Sequence, residues 1–276
     1  MSTTTAERQA LESRHTASTR RKGTGEPSPQ LLRIISVVSV LIILGAWELV
    51  TRVGLVGPLA LPSPGAVVGA LTEDPAAILA DTWATLVRVA VGIVGGTLAG
   101  VLVGLAVSYR KEVRAAVILP IEALRPVPVV ALIPLFIIWF GINDFGKYLL
   151  VGIGCFVVMV VATIEAVQLV PQGYVRAAQT LGATRRQIFG SVVIPAIVPP
   201  LAASVRVANA LGFTLVVASE FMGAQEGLGF IMMTARRTLH TEQIIAATIV
   251  VSILAAVTDY LLRRLIVSQT LWVERA

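Results

Sequence analysis

The chain is a succession of long apolar runs broken by short polar segments, a pattern that predicts helices of membrane-spanning length. The first run, 34–50, carries Trp47 near its end as an interfacial anchor. A second covers 83–107. The third, 115–140, is interrupted by Pro120, Pro126, Pro128 and Pro134. A helix cannot pass straight through those residues, so two shorter pieces with a break near 125–128 are expected. Runs at 148–169, 196–219 and 244–262 complete six spans, the last ending at Arg263 and Arg264. Segment 55–81, with its four prolines (Pro58, Pro62, Pro64, Pro75), reads as a loop, and so does the stretch holding Gly223, Gly227 and Gly229. Residues 1–30 are rich in Ser, Thr, Arg and Gly and offer too little apolar surface to offset ordering entropy. They are expected to form a disordered cytoplasmic tail ahead of a six-helix domain over 31–276. The long polar start and the lack of a small-residue cleavage site argue against a signal peptide.

Two patterns stand out within this frame. Gly92, Gly96, Gly100 and Gly104 recur every four residues and put four glycines on one helix face, a seam for close helix packing. Segment 174–200 is the longest polar, arginine-bearing stretch between two membrane-grade runs, and its spacing predicts two short helices meeting at a glycine. Ala177, Ala178 and Leu181 form an apolar stripe on the first, and Gly182 follows as a left-handed cap. Thr184 starts the second, with Gln187 at capping-box spacing. Pro195 ends or kinks that helix, and Pro199 and Pro200 suit the first turn of the next span. The small residues fit a docking protein. The other reading is an amphipathic linker on lipid headgroups, with Arg185 and Arg186 against anionic lipid.

Composition settles the class. Apolar residues make up 56% and charged residues 14% of the 276, and the mean hydropathy is +0.84. A soluble domain averages about a quarter charged, so this is a polytopic membrane protein. The net charge of +6 reflects where cations sit rather than affinity for nucleic acid. In an N-inside model Arg52, Arg88, Lys147, Arg236 and Arg237 fall outside and Arg125 and Arg206 within spans. That leaves 15 of the 22 Lys and Arg inside (22 − 5 − 2), in accord with the positive-inside rule. Segment 174–200 is then cytoplasmic. The single Cys155 sits in an apolar run and reads as packing.

Ionisable residues within spans are costly and are candidates for function. Glu122 with Arg125, and Asp259 with Arg263, are spaced as neutralising pairs. Glu48 and Glu165 lie near span ends, where capping or snorkelling suffices. Arg206 sits about 15 Å into the fifth span, with Asn209 and Phe213 on roughly the same face. It reads either as a guanidinium for a crossing anion or as a donor to a neighbouring helix's carbonyls. Glu220 closes that span and reads as a gate or as a partner of Arg236 or Arg237. The run Gly141 to Tyr148 matches GxxxxGK but ends in Tyr where a phosphate loop needs Ser or Thr, and no strand precedes it. His15 and His240 make no metal or triad constellation.

Segment 171–195 resembles the "EAA" loop of ABC importer permeases. Ala177 and Ala178, Gly182, Val192 and Ile194-Pro195 reproduce its spacing, while Arg176 stands where that family usually has glutamate. Leu61 to Pro64, Ile133 to Gly141, Glu220 to Gly223 and Gly227 to Gly229 are similar to the nitrate/sulfonate/taurine branch. The resemblance covers the chain from about residue 31 onward. It implies an all-α type I importer fold, like the methionine-importer permease, with the first helix peripheral to a five-helix core. It implies a coupling loop in which Arg176, Ala177, Ala178, Leu181, Gly182, Arg185, Arg186 and Pro195 meet two separate ATPase subunits. A second permease subunit, an identical copy or a sister permease, would complete the pathway, and Arg206, Asn209, Phe213 and Glu220 are its candidate lining. An external binding protein would dock on 55–81 and 220–242 and deliver a small anion such as a sulfonate, taurine or nitrate. A pyrimidine precursor is the alternative solute. A self-sufficient secondary transporter is the other class, for which no inverted repeat is seen. The resemblance implies a bacterial inner-membrane location with both termini cytoplasmic, no cofactor and no metal.

Overall fold

The computed structural model describes residues 29–270, and most of the expected tail, 1–28, lies outside the described residues. Two compact units are present, divided after Val53. The first contributes helix α1, Pro29–Arg52. Helix α1 therefore takes residues 29 and 30, which the sequence pattern left in the tail. Glu48 pairs with Arg52 one turn on, at the end of the helix.

The second unit begins at Gly54. Segment 55–81 is not a loop but holds helix α2, Pro64–Glu73, and the start of α3, Pro75–Tyr109. Its prolines are helix starters. Pro64 and Pro75 occupy first turns, where the missing N–H costs nothing, and Ser63 and Asp74 accept from Ala66 N and Ala77 N as N-caps. Helix α4, Lys111–Leu124, tolerates Pro120 inside it. The chain then breaks at 125–128 and passes through a 3₁₀ turn, Val129–Leu132, into α5, Ile133–Phe140. The two halves are bent by 82°, at the position the prolines indicate.

Helix α6, Asp144–Leu169, follows a turn through Gly141 (φ 73°), so the GxxxxGK run is a turn and a helix start. Helix α6 is the centre of the core: Leu150, Val151, Cys155, Met159, Val160 and Ile164 are at most 1% exposed. The Cys155 thiol points at the Ala208 carbonyl, 3.4 Å away. The four α3 glycines lie along α6. A methyl group at Gly92 would stand 2.5 Å from Val151 Cγ1, one at Gly100 2.7 Å from Met159 Cβ and one at Gly104 2.6 Å from Thr163 Cβ. One at Gly96 would overlap the Gly152 carbonyl oxygen. The two backbones therefore approach to a distance that only glycine allows.

Short helices α7, Gln172–Thr180, and α8, Arg185–Ile188, come next. Helix α8 runs without interruption through a π turn, Phe189–Val193, into α9, Ile194–Phe221. Pro195 therefore sits in the first turn of α9. It has no N–H to give the preceding turn, and the wider π turn accommodates that loss. Pro199 and Pro200 lie inside α9 rather than at its start, which moves the expected boundary at 196 back toward residue 185. Helix α10, Leu228–Thr238, replaces the expected loop and ends at Leu239 in a left-handed conformation (φ 61°). Its buried face is Leu228, Gly229, Met232 and Ala235, and Arg236 and Arg237 are exposed. Helix α11, Thr241–Thr270, is the last element among the described residues. Five helices are long and apolar enough to span a membrane, six if the bent pair counts as one, and no strand occurs among the described residues.

Candidate functional site

The α7–α8 loop is built by its backbone. Gly182 (φ 77°) takes the left-handed position; its N–H donates to Gln179 O (2.9 Å) and Ala183 N–H to Ala178 O (3.0 Å). This paired closure is a Schellman motif, and it reverses the chain within four residues. Thr184 then opens α8 with a reciprocal capping box: Gln187 N donates to Thr184 Oγ1, and Thr184 N donates to Gln187 Oε1 (2.8 Å).

The side chains sort into two faces. Val175, Ala178, Ala183 and Ile188 turn inward onto the core. Tyr174 (63% exposed) and Leu181 (87%) turn outward, with Ala177 between them. The expected stripe of Ala177, Ala178 and Leu181 is thus divided, because positions one apart on a helix face different ways. Arg185 is held back: its guanidinium donates to the Tyr109 carbonyl and lies 5.2 Å over the Tyr109 ring. Phe189 meets the same ring edge-on at 5.1 Å. Arg176 and Arg186 are exposed. Behind the loop lies a cavity of about 500 Å³, lined by Ser108, Glu112, Gln172 and Gln179 among others. The loop is therefore a braced platform, fixed to the end of α3, with an apolar outward face.

At the opposite ends of α3 and α9 lies a buried ionic knot. Arg88 is 2% exposed and spends its guanidinium on four acceptors. Nε donates to Asp144 Oδ1 (2.8 Å), and one terminal nitrogen to both Glu220 Oε1 and the Glu226 carbonyl (2.9 Å each). The other donates to Glu226 Oε1 (3.0 Å). Glu220, 1% exposed, also accepts from Thr85 Oγ1 (3.0 Å) and Gly229 N (2.9 Å). Leu228 N donates to Thr85 Oγ1 and Gly227 N to Asp81 Oδ1. Gly227 (φ 112°) leaves space that a side chain would take from the Glu220 carboxylate. The α9–α10 turn is thereby fastened to α3 and α6.

The knot corrects two expectations. Glu220 pairs with Arg88, not with Arg236 or Arg237, and Arg88, counted with the outside cations, lies buried within α3. The signal was available: Arg88 is the one basic residue of α3, with Thr85 one turn and Asp81 two turns before it. Two further pairings differ as well. Arg125 binds Glu165 (3.0 Å), not Glu122, and Asp259 binds Arg206, not Arg263. In each case a partner on a packed neighbouring helix wins over one on the same helix.

Of the four residues expected to line a pathway, Arg206 alone is open. Asn209 and Phe213 are buried, Asn209 donating to Thr258 Oγ1 (3.2 Å), and Glu220 belongs to the knot. Among the described residues no group of three or more His, Cys, Asp or Glu is placed to hold a metal.

Residues 96–267 match the family described as binding-protein-dependent transport system inner membrane component, a span that takes in the loop, the Arg206 pair and the Glu220 side of the knot. The chain belongs to that family. It is 33% identical over 245 residues to the taurine transport system permease protein TauC of Escherichia coli (strain K12), covering 86% of this chain and 89% of that one. It is 26% identical over 226 residues to a sequence named for aliphatic sulfonates transport, SsuC of Bacillus subtilis (strain 168), covering 81% and 82%. In fold it is similar to the inward-facing MetNI methionine ABC transporter (TM-score 0.58, 20% identity, 70% of this chain and 95% of that one). The type I importer architecture is therefore the fold of this ABC permease, and it is an inner-membrane protein. Arg88, Thr85 and Asp81 lie ahead of the matched span.

Proposed function

We propose that this permease carries a small organic anion of the sulfonate class, taurine among them, inward across the membrane for an ATPase on a separate pair of subunits. An external binding protein delivers the solute, and a second copy of the chain completes the pathway. The α7–α8 platform faces the cytoplasm, as do both termini, and the division into a tail ahead of residue 29 and a permease domain after it belongs to the same reading. Supporting it most directly is the platform itself: an apolar outward face on a loop braced by Arg185 to α3. A leucine left 87% exposed beside arginines fits a protein groove better than water. The two relatives named for taurine and sulfonates supply the solute class.

In this reading Leu181 and Tyr174 enter the ATPase groove, and Ala177 and Gly182 let the two backbones approach. Arg176 and Arg186 meet acidic groups there. Movement of the ATPases reaches the bundle through Arg185, Tyr109 and the continuous α8–α9 helix, with Pro195 marking where it widens. Leu181→Asp places a charge in the groove without disturbing the chain's own core. Taurine uptake and taurine-stimulated ATP hydrolysis by the reconstituted complex are both expected to fall about tenfold or more, the loss of a docking anchor. Membrane insertion should be unchanged. Normal coupling in this variant would remove the docking role.

A further inference from the structure

Arg206 and Asp259 form a forked ion pair, Nε to Oδ1 and a terminal nitrogen to Oδ2, both at 2.7 Å, joining α9 to α11. Counted along the continuous helix from Arg185 to Phe221, Arg206 stands about 32 Å from one end and about 22 Å from the other, well inside the span. Its side chain is 44% exposed and that of Asp259 34%. An open ion pair at that depth cannot face hydrocarbon without a cost of several kcal/mol, so this face of α9 and α11 borders water or another protein surface. The neighbouring positions agree. Ala203, Ala210 and Thr214 are exposed beside Arg206 on α9, and Thr248 and Ser252 are exposed on α11. Three residues after Arg206 and one before Asp259, Asn209 and Thr258 bond across the same two helices and fix the register of the pair.

We infer that Arg206 is the anion-reading residue of the permease and that Asp259 is its resident counter-ion, exchanged for the solute as it passes. This rests on the reading of the solute as an anion. The fork that now grips two carboxylate oxygens presents the same geometry to two sulfonate oxygens. A bare arginine at that depth would hold an anion too firmly. With Asp259 beside it, each anion that arrives displaces the carboxylate and is displaced by it in turn, so the site releases what it recognises. The small residues around it leave room for the exchange. A cation or neutral solute gains nothing from Arg206 and meets an already satisfied pair.

Uptake of radiolabelled taurine by the complete transporter in proteoliposomes tests this. The variants are Arg206→Gln, Asp259→Asn and the swap Arg206→Asp/Asp259→Arg, with basal ATP hydrolysis as a check on assembly. Arg206→Gln is expected to lower uptake at least about tenfold. Asp259→Asn keeps the guanidinium and should lower the maximal rate by less, with tighter inhibition by added ethanesulfonate. The swap should restore nothing. Equal losses in Arg206→Gln and Asp259→Asn would reduce the pair to a structural bridge and overturn the inference, as would recovery of uptake in the swap. If the swap fails to assemble, the comparison of the two single variants decides. A wild-type transporter that takes up no sulfonate while carrying a neutral or cationic solute would refute the anion reading itself, a separate result.

Discussion

Arg88→Met is expected to be the most damaging single substitution in the chain, costing about 3–5 kcal/mol of stability. The arginine is 2% exposed, and its loss leaves Glu220, itself 1% exposed, as a buried carboxylate without its cation. Thr85 Oγ1 and Gly229 N would still donate to it, but neither supplies charge. Asp144 retains Lys147 at 3.1 Å and is partly exposed, so it suffers less. The α9–α10 turn, fastened through Glu226 and Gly227, should loosen from α3. Unfolding of the purified chain in mixed micelles measures the loss. The double variant Arg88→Met/Glu220→Leu should be more stable than the sum of the single losses, since the orphaned charge is gone. Strict additivity would mean that the pair is not the centre of the knot.

The second large effect is expected at the α3–α6 seam, where two adjacent glycines should behave oppositely. Gly96→Ala pushes a methyl group into the Gly152 carbonyl oxygen and to within 2.9 Å of Cys155 Cβ. Neither is the flexible end of a side chain, so the helices must separate, at about 1–3 kcal/mol for an overpacked contact. Gly95→Ala meets nothing within 4 Å and restricts the unfolded backbone, so it should be neutral or gain about 0.4–1 kcal/mol. The same micelle unfolding experiment on both variants reads the difference. Equal effects would place the closest approach elsewhere than along Gly92, Gly96, Gly100 and Gly104.

How much of this was legible beforehand follows from the range of the forces involved. Local rules reached far. The break at 125–128 follows from proline sterics, the left-handed Gly182 from the need for a cap, and the Thr184–Gln187 box from side-chain reach over three residues. The span count follows from apolar length alone. The misreadings come from residues with two meanings. Pro64 and Pro75 look like breakers by type but act as starters, because Ser63 and Asp74 precede them as caps. Pro199 and Pro200 look like a boundary, yet a π turn upstream lets one helix carry through. Helix α10 was hidden because 11 residues with two outward cations and one glycine give no membrane-length signal; its apolar face is visible only against α11 and the knot.

The ion pairs failed together and for one reason. Spacing of three or four residues predicts partners on the same helix for Arg125 and Asp259, nearness along the chain predicts Arg236 or Arg237 for Glu220, and helix packing offers better ones. Arg125 reaches Glu165, Asp259 reaches Arg206 and Glu220 reaches Arg88 across 40, 53 and 132 positions of sequence. Which helices meet is set by the glycine seam and by the turns, and no local rule contains it. The same holds for Ala178, assigned to the docking face by its neighbours in sequence but turned inward by the packing of α7.

Labour is divided in the proposed transporter: this chain is the conduit and another molecule is the motor. Accumulation of radiolabelled taurine against its gradient in proteoliposomes tests that division, using the permease alone and then with ATPase subunits, binding protein and ATP. Uphill accumulation is expected only in the complete system, and removing ATP should stop it. Concentration of solute by the purified chain by itself, driven by an ion gradient, would contradict the account.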